Sequence, residues 1–229
     1  MNPDDFDFVV TELLIEPGVS PRAETLYPVL DIKAQNNDST KCIVKVWDKC
    51  KEAVVGQHGV ANTDKPGWCN DNIASWVQKQ PASDELRYAA WYDDILIGFV
   101  NLLREFPSEV VPGDKVMYVK YVMTAPWQLK TVLWPRSIHG IGRALLAFSV
   151  LQSASNGMGG RIGLHARDSE VEGWYDHMNS QYGNQLFALK KVGVGGPKRG
   201  NGDIPDMEKQ YYEADSTGAI KLLEEYRRA

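Results

Sequence analysis

The chain has 229 residues, of which 43% are hydrophobic, and a formal net charge of −5 at pH 7. This length and composition predict a folded globular protein, and the acidic balance argues against a nucleic acid or an anionic membrane as the main partner. No run of residues approaches the roughly 18 apolar residues of a membrane span, and the acidic start is unlike a signal peptide, so we expect a cytoplasmic protein.

Elements at the start of the chain are predicted as two extended segments followed by two helices. β-formers predict a strand at residues 8–15, and a second extended segment is predicted at residues 27–32, after a turn-rich stretch. Apolar residues then recur at helical spacing at residues 42–47 and 73–77.

A hairpin and a further strand are predicted next. Residues 86–92 and 95–103 are rich in β-formers and are joined by Asp93 and Asp94, which predicts a tight turn between two strands. Residues 116–123 form the next predicted strand.

A loop and an amphipathic helix follow this strand. Pro126 ends the strand, because proline lacks the N–H that a ladder position needs. The loop extends as far as Gly140, and apolar residues at 141–151 then share one face of a helix that Gly157 ends. Residues 161–166 are a short predicted strand.

The last part of the chain repeats this scheme on a smaller scale. Residues 170–178 and 217–226 have helical patterns, residues 185–190 and 210–213 read as strands, and residues 191–206 are a loop rich in glycine and proline. Together the elements predict a mixed α/β or α+β sheet with helices on both faces.

The cysteines do not predict a disulfide framework or a metal site. Cys42, Cys50 and Cys69 are an odd number without Cys-x-x-Cys spacing, which predicts reduced thiols. A zinc site made from Cys50, His58 and Cys69 is not favoured, because structural zinc usually needs four ligands at tighter spacing. We therefore expect no metal.

Positive charge is concentrated in one stretch of the chain. From Lys115 to Arg167 there are seven Lys or Arg residues and no Asp or Glu, although the whole chain is acidic. The stretch is either a solvated face or a local positive field for a polyanionic ligand.

A candidate anion site lies inside this basic stretch, at the start of the predicted amphipathic helix. Gly140 and Gly142 allow close approach of the backbone, and free N–H groups at a helix N-terminus hold phosphate. Arg143 in the first turn and Arg136 upstream add positive charge. The motif is neither a Rossmann fingerprint nor a Walker loop, since the third glycine and the Gly-Lys-Ser/Thr are missing.

Four short motifs make the pattern more specific. They are Val-Met-Thr-Ala-Pro at residues 122–126, Ser-Ile-His-Gly-Ile-Gly-Arg-Ala-Leu-Leu at 137–146, Gly-Leu-His-Ala at 163–166 and Trp-Tyr at 174–175. In this combination the chain resembles the acetyl-CoA-binding core of the GNAT superfamily of N-acetyltransferases. The chain departs from the family signature at Ser137, where the family has Gln or Arg.

The resemblance implies a single GNAT-like domain over residues 1–229. The match covers about residues 86–190, and residues 1–85 are an extension or an acceptor-side lobe. The implied fold has a central mixed, mostly antiparallel sheet, with splayed central strands at residues 116–123 and 161–166 and helices on both faces.

The resemblance also implies acetyl-CoA as a co-substrate, with the pantetheine arm between the splayed strands and the pyrophosphate on the glycine turn. Main-chain groups of Met123 and Thr124 would bind the arm. The implied cofactor-binding residues are Val122, Met123, Thr124, Ser137, His139, Gly140, Ile141, Gly142, Arg143 and Asp168.

For the chemistry, the resemblance implies direct attack of an amine on the thioester, which needs a base for the amine and an acid for the leaving thiolate. Tyr175 aligns with the family's tyrosine and is the predicted acid, and His165 is the predicted base. Each also has a structural interpretation, as a packing tyrosine and a hydrogen-bonded core histidine. Glu105 and Asp114 are further base candidates, and a water chain is an alternative to any single base.

The predicted function is transfer of an acetyl group from acetyl-CoA to a primary amine of a small molecule or a peptide. Two alternatives stay open: an acyl-CoA-binding sensor or scaffold without turnover, and a GNAT-type toxin that acetylates aminoacyl-tRNA. The acceptor cannot be read from the sequence, and a homodimer is compatible with it.

Overall fold

The structure is a computed structural model, and it describes residues 5–14, 24–26, 29–47, 77–125, 136–166, 169–181 and 210–227. The helix predicted at residues 73–77 lies outside these ranges except for Val77, and the strand predicted at residues 185–190 lies wholly outside them.

The strands of the described residues form two sheets. In chain order they are β1 (Thr11–Leu14), β2 (Glu24–Leu26), β3 (Asp31–Ala34), β4 (Glu85–Tyr92), β5 (Ile95–Pro107), β6 (Lys115–Thr124), β7 (Arg136–His139), β8 (Ile162–His165) and β9 (Tyr211–Ala214). The main sheet has the order β3-β4-β5-β6-β8-β9, and a small sheet has the order β2-β1-β7. Neighbouring strands are antiparallel except β6 and β8, which are parallel. The predicted mixed, mostly antiparallel sheet is therefore confirmed.

Helices cover both faces of the main sheet. They are α1 (Asn37–Cys42), continued by a π-helical turn (Ile43–Trp47), α2 (Ile141–Ser155), α3 (Ser169–Gln181) and α4 (Ser216–Glu224). One core cluster joins α2, α3 and α4 to one face of the sheet, which we call the α2 face. A second cluster joins the π-helical turn to the other face, which we call the α1 face.

The central hairpin forms as predicted. Asp93 and Asp94 connect β4 to β5 with φ angles of 48° and 58°. A two-residue hairpin loop with positive φ at both positions matches the right-handed twist of the strands, and aspartate tolerates this conformation better than most residues.

Helix α2 packs closely on the sheet because β5 has a glycine beneath it. A Cβ atom built on Gly98 would lie 2.9 Å from Cγ2 of Ile141 and 3.0 Å from Cδ1 of Leu145. Real Cβ atoms do not approach other carbons this closely, so the first turns of α2 rest directly on the backbone of β5.

Two predictions, one for the start of the chain and one for the loop before Gly140, need correction. The extended segment predicted at residues 27–32 is replaced by β2 and β3, which lie in different sheets. The loop predicted to extend as far as Gly140 contains β7, whose backbone pairs with β1. This pairing joins segments far apart in the sequence, and no local pattern of residues 136–139 indicates it.

The N-terminal segment is part of the main core. Phe8 packs edge-on against Phe148 of α2, with ring centroids 5.5 Å apart, and against Tyr226 at 5.6 Å. Phe6 and Val10 are buried in the same cluster.

No helix in the described ranges has the length and apolar character needed to cross a membrane.

Candidate functional site

The parallel strands β6 and β8 separate in the middle of the main sheet. They pair only from Met117 to Val119 on β6 and from Ile162 to Leu164 on β8. Strand β6 continues to Thr124 beside β5. In the part of the chain that the structure describes, no strand pairs with the other edge of residues 120–124. We call the space beside this edge, beyond the end of β8, the β6–β8 gap.

A β-bulge explains why the two strands separate there. On β6, Val119 pairs with Leu102 and Tyr121 pairs with Asn101, so Lys120 is an extra residue on β6. A bulge bends its strand and increases the local twist. The bend falls directly after the last β6–β8 pair, and the splayed central strands predicted from the resemblance are therefore confirmed.

The hydrogen-bond pattern of β6 shows which main-chain groups face the gap. The N–H of Ala125 donates to the carbonyl of Ile97 at 2.9 Å, which makes this a hydrogen-bonded antiparallel pair. Since such pairs alternate, the groups of Met123 point to β5, and those of Val122 and Thr124 point into the gap. The expectation that the main chain of Met123 faces the ligand is thus not met, whereas Thr124 has the expected orientation.

The glycine turn lies at the same end of the sheet as the gap. Gly140 has a φ of 89° and is the N-cap of α2, and no side chain among the described residues caps this helix. The first helical bond runs from the N–H of Ala144 to the carbonyl of Gly140 at 2.9 Å. The N–H groups of the first turn precede this bond and have no acceptor within the helix. Because Gly98 contacts α2 and pairs with Thr124, the N-terminus of α2 is adjacent to the end of β6.

The charge of Arg143 is partly compensated. Its guanidinium donates to the carboxylate of Glu225 at 2.6 Å, and both side chains are partly exposed. Farther along the basic stretch, Arg161 forms an ion pair with Asp114. A positive field, one of the two interpretations of this stretch, is therefore weaker than its sequence suggests.

Two other predicted cofactor residues lie in β7. Ser137 pairs with Leu13, and His139 pairs with Thr11 and is exposed just before the glycine turn. Ser137 thus lies in a strand rather than in the predicted loop. Asp168, also predicted to contact the cofactor, lies outside the described residues.

Helix α3 brings two aromatic side chains to this end of the molecule. Trp174 is 40% exposed, and its ring atom Cη2 lies 3.7 Å from where a Cβ on Gly142 would be. Tyr175 is buried on the α2 face, with ring centroids 5.1 Å from Trp174 and 5.3 Å from Tyr212. Tyr212 donates to Asp176 at 3.2 Å. Burial, and then the nearby charge of Asp176, raise the pKa of Tyr212.

His165 lies at the other side of the sheet from Tyr175. Leu164 and Tyr212 contribute to the α2 face, and side chains alternate along a strand, so His165 projects to the α1 face. Its Nδ1 is 2.9 Å from the hydroxyl of Tyr118. The two predicted catalytic residues, His165 and Tyr175, are therefore on opposite faces of the main sheet. The β6–β8 gap lies in this sheet, between its two central strands.

Two base candidates lie at the end of the sheet that is far from the β6–β8 gap. Asp114 immediately precedes β6, and Glu105 is exposed at a bulge of β5 beside the start of β6. At about 3.3 Å per strand residue, Asp114 is roughly 26 Å and Glu105 roughly 16 Å from Val122, and both are farther from Thr124. They are too far from the gap to take a proton from a group bound there.

Sequence reasoning missed Tyr118 and Tyr211, whose rings lie beside His165. The only available signal was the alternation of Tyr118 with apolar residues in the predicted strand. The described residues contain no group of three or more His, Cys, Asp or Glu side chains that could hold a metal ion.

No protein-family model and no curated protein matches the chain. Solved structures similar to it include an acetyltransferase of the GNAT family from Staphylococcus aureus, with 13% identity, a TM-score of 0.44, and coverage of 82% of this chain and 99% of that chain. An acetyltransferase from Streptococcus agalactiae has 18% identity and a TM-score of 0.46, with coverage of 81% and 97%. The paia N-acetyltransferase from Thermoplasma acidophilum, in complex with coenzyme A, has 14% identity and a TM-score of 0.41, with coverage of 81% and 98%. These likenesses are distant, and we take the function from the geometry of the chain itself.

Proposed function

We propose that this protein is a GNAT-type N-acetyltransferase that binds acetyl-CoA in the β6–β8 gap and transfers the acetyl group to a primary amine. The observation that carries the proposal is the edge of β6 beyond Val119, where main-chain groups of Val122 and Thr124 face the gap. The pantetheine arm of CoA is an extended chain with two amide groups. Such a chain can bind an open strand edge as an added strand does.

The glycine turn supplies the second half of the proposed site. The pyrophosphate of CoA carries negative charge, which the N–H groups of the first turn and the dipole of the α2 N-terminus would stabilise. No atom of the described residues lies within 4 Å of a Cβ position on Gly140, so these residues leave the turn open to a ligand on that side. Trp174 would form a wall of the site beside Gly142.

The reaction needs two proton transfers. The amine nitrogen attacks the thioester carbonyl carbon, a C–N bond forms, and the C–S bond breaks. The attacking nitrogen loses a proton to a base, for which we propose His165, and the thiolate of CoA gains a proton from an acid, for which we propose Tyr175. Their placement on opposite faces suits an acceptor that enters from the α1 face and a thiol protonated from the α2 face.

A protein that binds acyl-CoA without turnover is the second candidate. It is supported by Ser137, which replaces the Gln or Arg of the family signature and whose main chain is paired with Leu13 in β7. Release of free CoA thiol in the presence of an amine distinguishes an enzyme from such a sensor.

Calorimetric titration with acetyl-CoA tests the site, using the wild-type protein and the Gly142→Glu variant. Among the described residues, a Cβ at Gly142 meets only Trp174, at ordinary contact distance, so this part of the fold tolerates a side chain there. A carboxylate within about 4 Å of a phosphate, at an effective dielectric of about 20, is repelled by about 4 kcal/mol. We therefore expect affinity to fall by at least about a hundredfold.

Gly173→Glu is the matched control. This glycine is exposed on α3, and no atom of the described part of the chain lies within 4 Å of its Cβ position, so the same change of charge is made away from the turn. Acetyl-CoA binding should persist in this variant. Absence of binding to the wild-type protein, or equal losses in both variants, would contradict the proposed site.

A further inference from the structure

His165 stands where the central strands separate. It is the last residue of β8, one position beyond the Val119–Leu164 pair that ends the contact with β6. On its other side it pairs with Tyr211 of β9. The backbone of His165 is therefore at the edge of the β6–β8 gap, at the level where β6 bulges.

The imidazole has a rigid partner in Tyr118. The hydroxyl oxygen of Tyr118 lies 2.9 Å from Nδ1 of His165, and the two rings meet edge to face at 5.7 Å. Tyr118 is only 5% exposed and stacks on Phe106, with ring centroids 4.6 Å apart and an interplanar angle of 24°. Its phenol can hardly move without disturbing the core, so it holds the histidine in one orientation.

The ring of Tyr211 lies on the other side of the imidazole, and its hydroxyl is hydrogen-bonded to Glu213. Its ring centroid is 5.0 Å from that of His165, and its hydroxyl donates to the carboxylate of Glu213 at 3.1 Å. That carboxylate also accepts from the N–H of Glu109 at 2.9 Å and from the hydroxyl of Ser108. Burial, and then the charge of Glu213, raise the pKa of Tyr211, which stays a neutral phenol.

The proposed role of His165 as a base assigns the hydrogen bond. A general base needs an unprotonated ring nitrogen for the incoming proton, and Nδ1 is already engaged with Tyr118, so the Nδ1–H donates to the hydroxyl oxygen of Tyr118. Nε2 then stays unprotonated in the neutral ring and takes up the second proton, which makes the imidazole a cation.

We infer that Tyr118 is a positioning residue for His165, which fixes the orientation and the tautomer of the proposed base and sets the pH range in which it works. The inference deepens the proposed acetyltransfer and rests on it for its kinetic consequences. A hydrogen bond that Nδ1–H donates to a fixed acceptor is stronger in the cation than in the neutral ring, so it favours the cation. Loss of the bond should therefore move the acidic limb of the pH–rate profile to lower pH.

Tyr118→Phe tests the pair because it removes the hydroxyl and keeps the stacked ring. Tyr226→Phe is the matched control, since it removes a phenol hydroxyl that is buried on the α2 face. Nitrogen-15 NMR of the histidine rings, with the His165 signals assigned by their loss in His165→Gln, reports the tautomer without any turnover. We expect the Nδ1 signal to move in Tyr118→Phe and to stay in Tyr226→Phe.

Kinetics separate positioning from packing. Thiol release from acetyl-CoA is followed from pH 6 to 10 with n-butylamine as the probe acceptor. His165→Gln should lower kcat by about a hundredfold or more, as loss of a general base does. Tyr118→Phe should lower kcat less, leave KM for acetyl-CoA unchanged and shift the acidic limb to lower pH. The double variant should be no slower than His165→Gln alone, because both changes act through one imidazole.

Some outcomes would overturn the inference. Unchanged His165 signals and an unchanged profile in Tyr118→Phe would reduce Tyr118 to a packing residue. Additive losses in the double variant would give it a role independent of His165. If the wild-type protein does not bind acetyl-CoA, the proposed function fails, and the NMR measurement still decides whether the pair exists.

Discussion

Replacement of Gly98 by alanine should lower stability, although alanine generally suits a folded chain better than glycine. The added methyl group would lie 2.9 Å from Cγ2 of Ile141, 3.0 Å from Cδ1 of Leu145 and 3.4 Å from Cβ of Ala90. The Leu145 methyl is at the end of its side chain and can turn aside. Cγ2 of Ile141 is attached to Cβ, and Ile141 is 2% exposed, so α2 itself has to move.

The expected magnitude follows from two opposed effects. Overpacking a filled core costs about 1–3 kcal/mol, and the reduced freedom of the unfolded chain returns about 0.4–1 kcal/mol. The net loss is about 1–2 kcal/mol, which for a chain of this size lowers Tm by roughly 2–8 °C.

Thermal unfolding followed by circular dichroism measures this effect, with Gly173→Ala as the control. Gly173 is exposed in the interior of α3, and none of the residues that the structure describes comes within 4 Å of its Cβ position, so alanine there should raise Tm through helix propensity. A Tm for Gly98→Ala that rises as much as that of the control would refute the argument that α2 rests on the backbone of β5.

Two further predictions concern buried polar contacts. Gly163→Ala should be strongly destabilising in thermal unfolding, because its Cβ would meet the Tyr211 hydroxyl without room for either, and the loss should be smaller in a Tyr211→Phe background. An equal loss of stability in both backgrounds would show that the added methyl group does not clash with the Tyr211 hydroxyl. Burial alone would raise the pKa of Glu85, but hydrogen bonds led by that from Arg87 lower it below 4.5. Its contribution is thus present above about pH 4.5 and lost as the pH falls through the lower folded value. Denaturant titrations from pH 7 to 3 should show a shallower loss of stability for Glu85→Gln than for the wild type, and parallel curves would contradict this.

The main sheet was largely predictable because its elements are local in the sequence. The β4–β5 hairpin has a two-residue turn between two runs of β-formers, and the glycines at 140 and 157 bound an apolar helical face. Strand β7 could not be predicted, because only its partner β1, far away in the sequence, makes residues 136–139 a strand. Such non-local pairings depend on the tertiary fold rather than on propensity.

The site was predictable in its backbone and less so in its side chains. The positions of Gly140 and Pro126 predicted the glycine turn and the end of β6, since glycine and proline affect φ and hydrogen bonding directly. Along β6, main-chain groups point alternately to β5 and to the gap, and the bulge at Lys120 shifts this alternation by one residue. Only the strand register shows that the groups of Val122 and Thr124 face the gap. The Tyr118–His165 contact depends on β6 and β8 being neighbours, which residue spacing alone does not reveal.

The pairing of β1 with β7 also bears on how the chain folds. Its partners, such as Leu13 and Ser137, are more than a hundred residues apart, so the loop that has to close is long. Long-range pairing is slow, and a chain synthesised from its N-terminus exposes β1 until β7 has been made. The strand that leads into the glycine turn is therefore expected to acquire its partner late, after the β4–β5 hairpin has formed from adjacent residues.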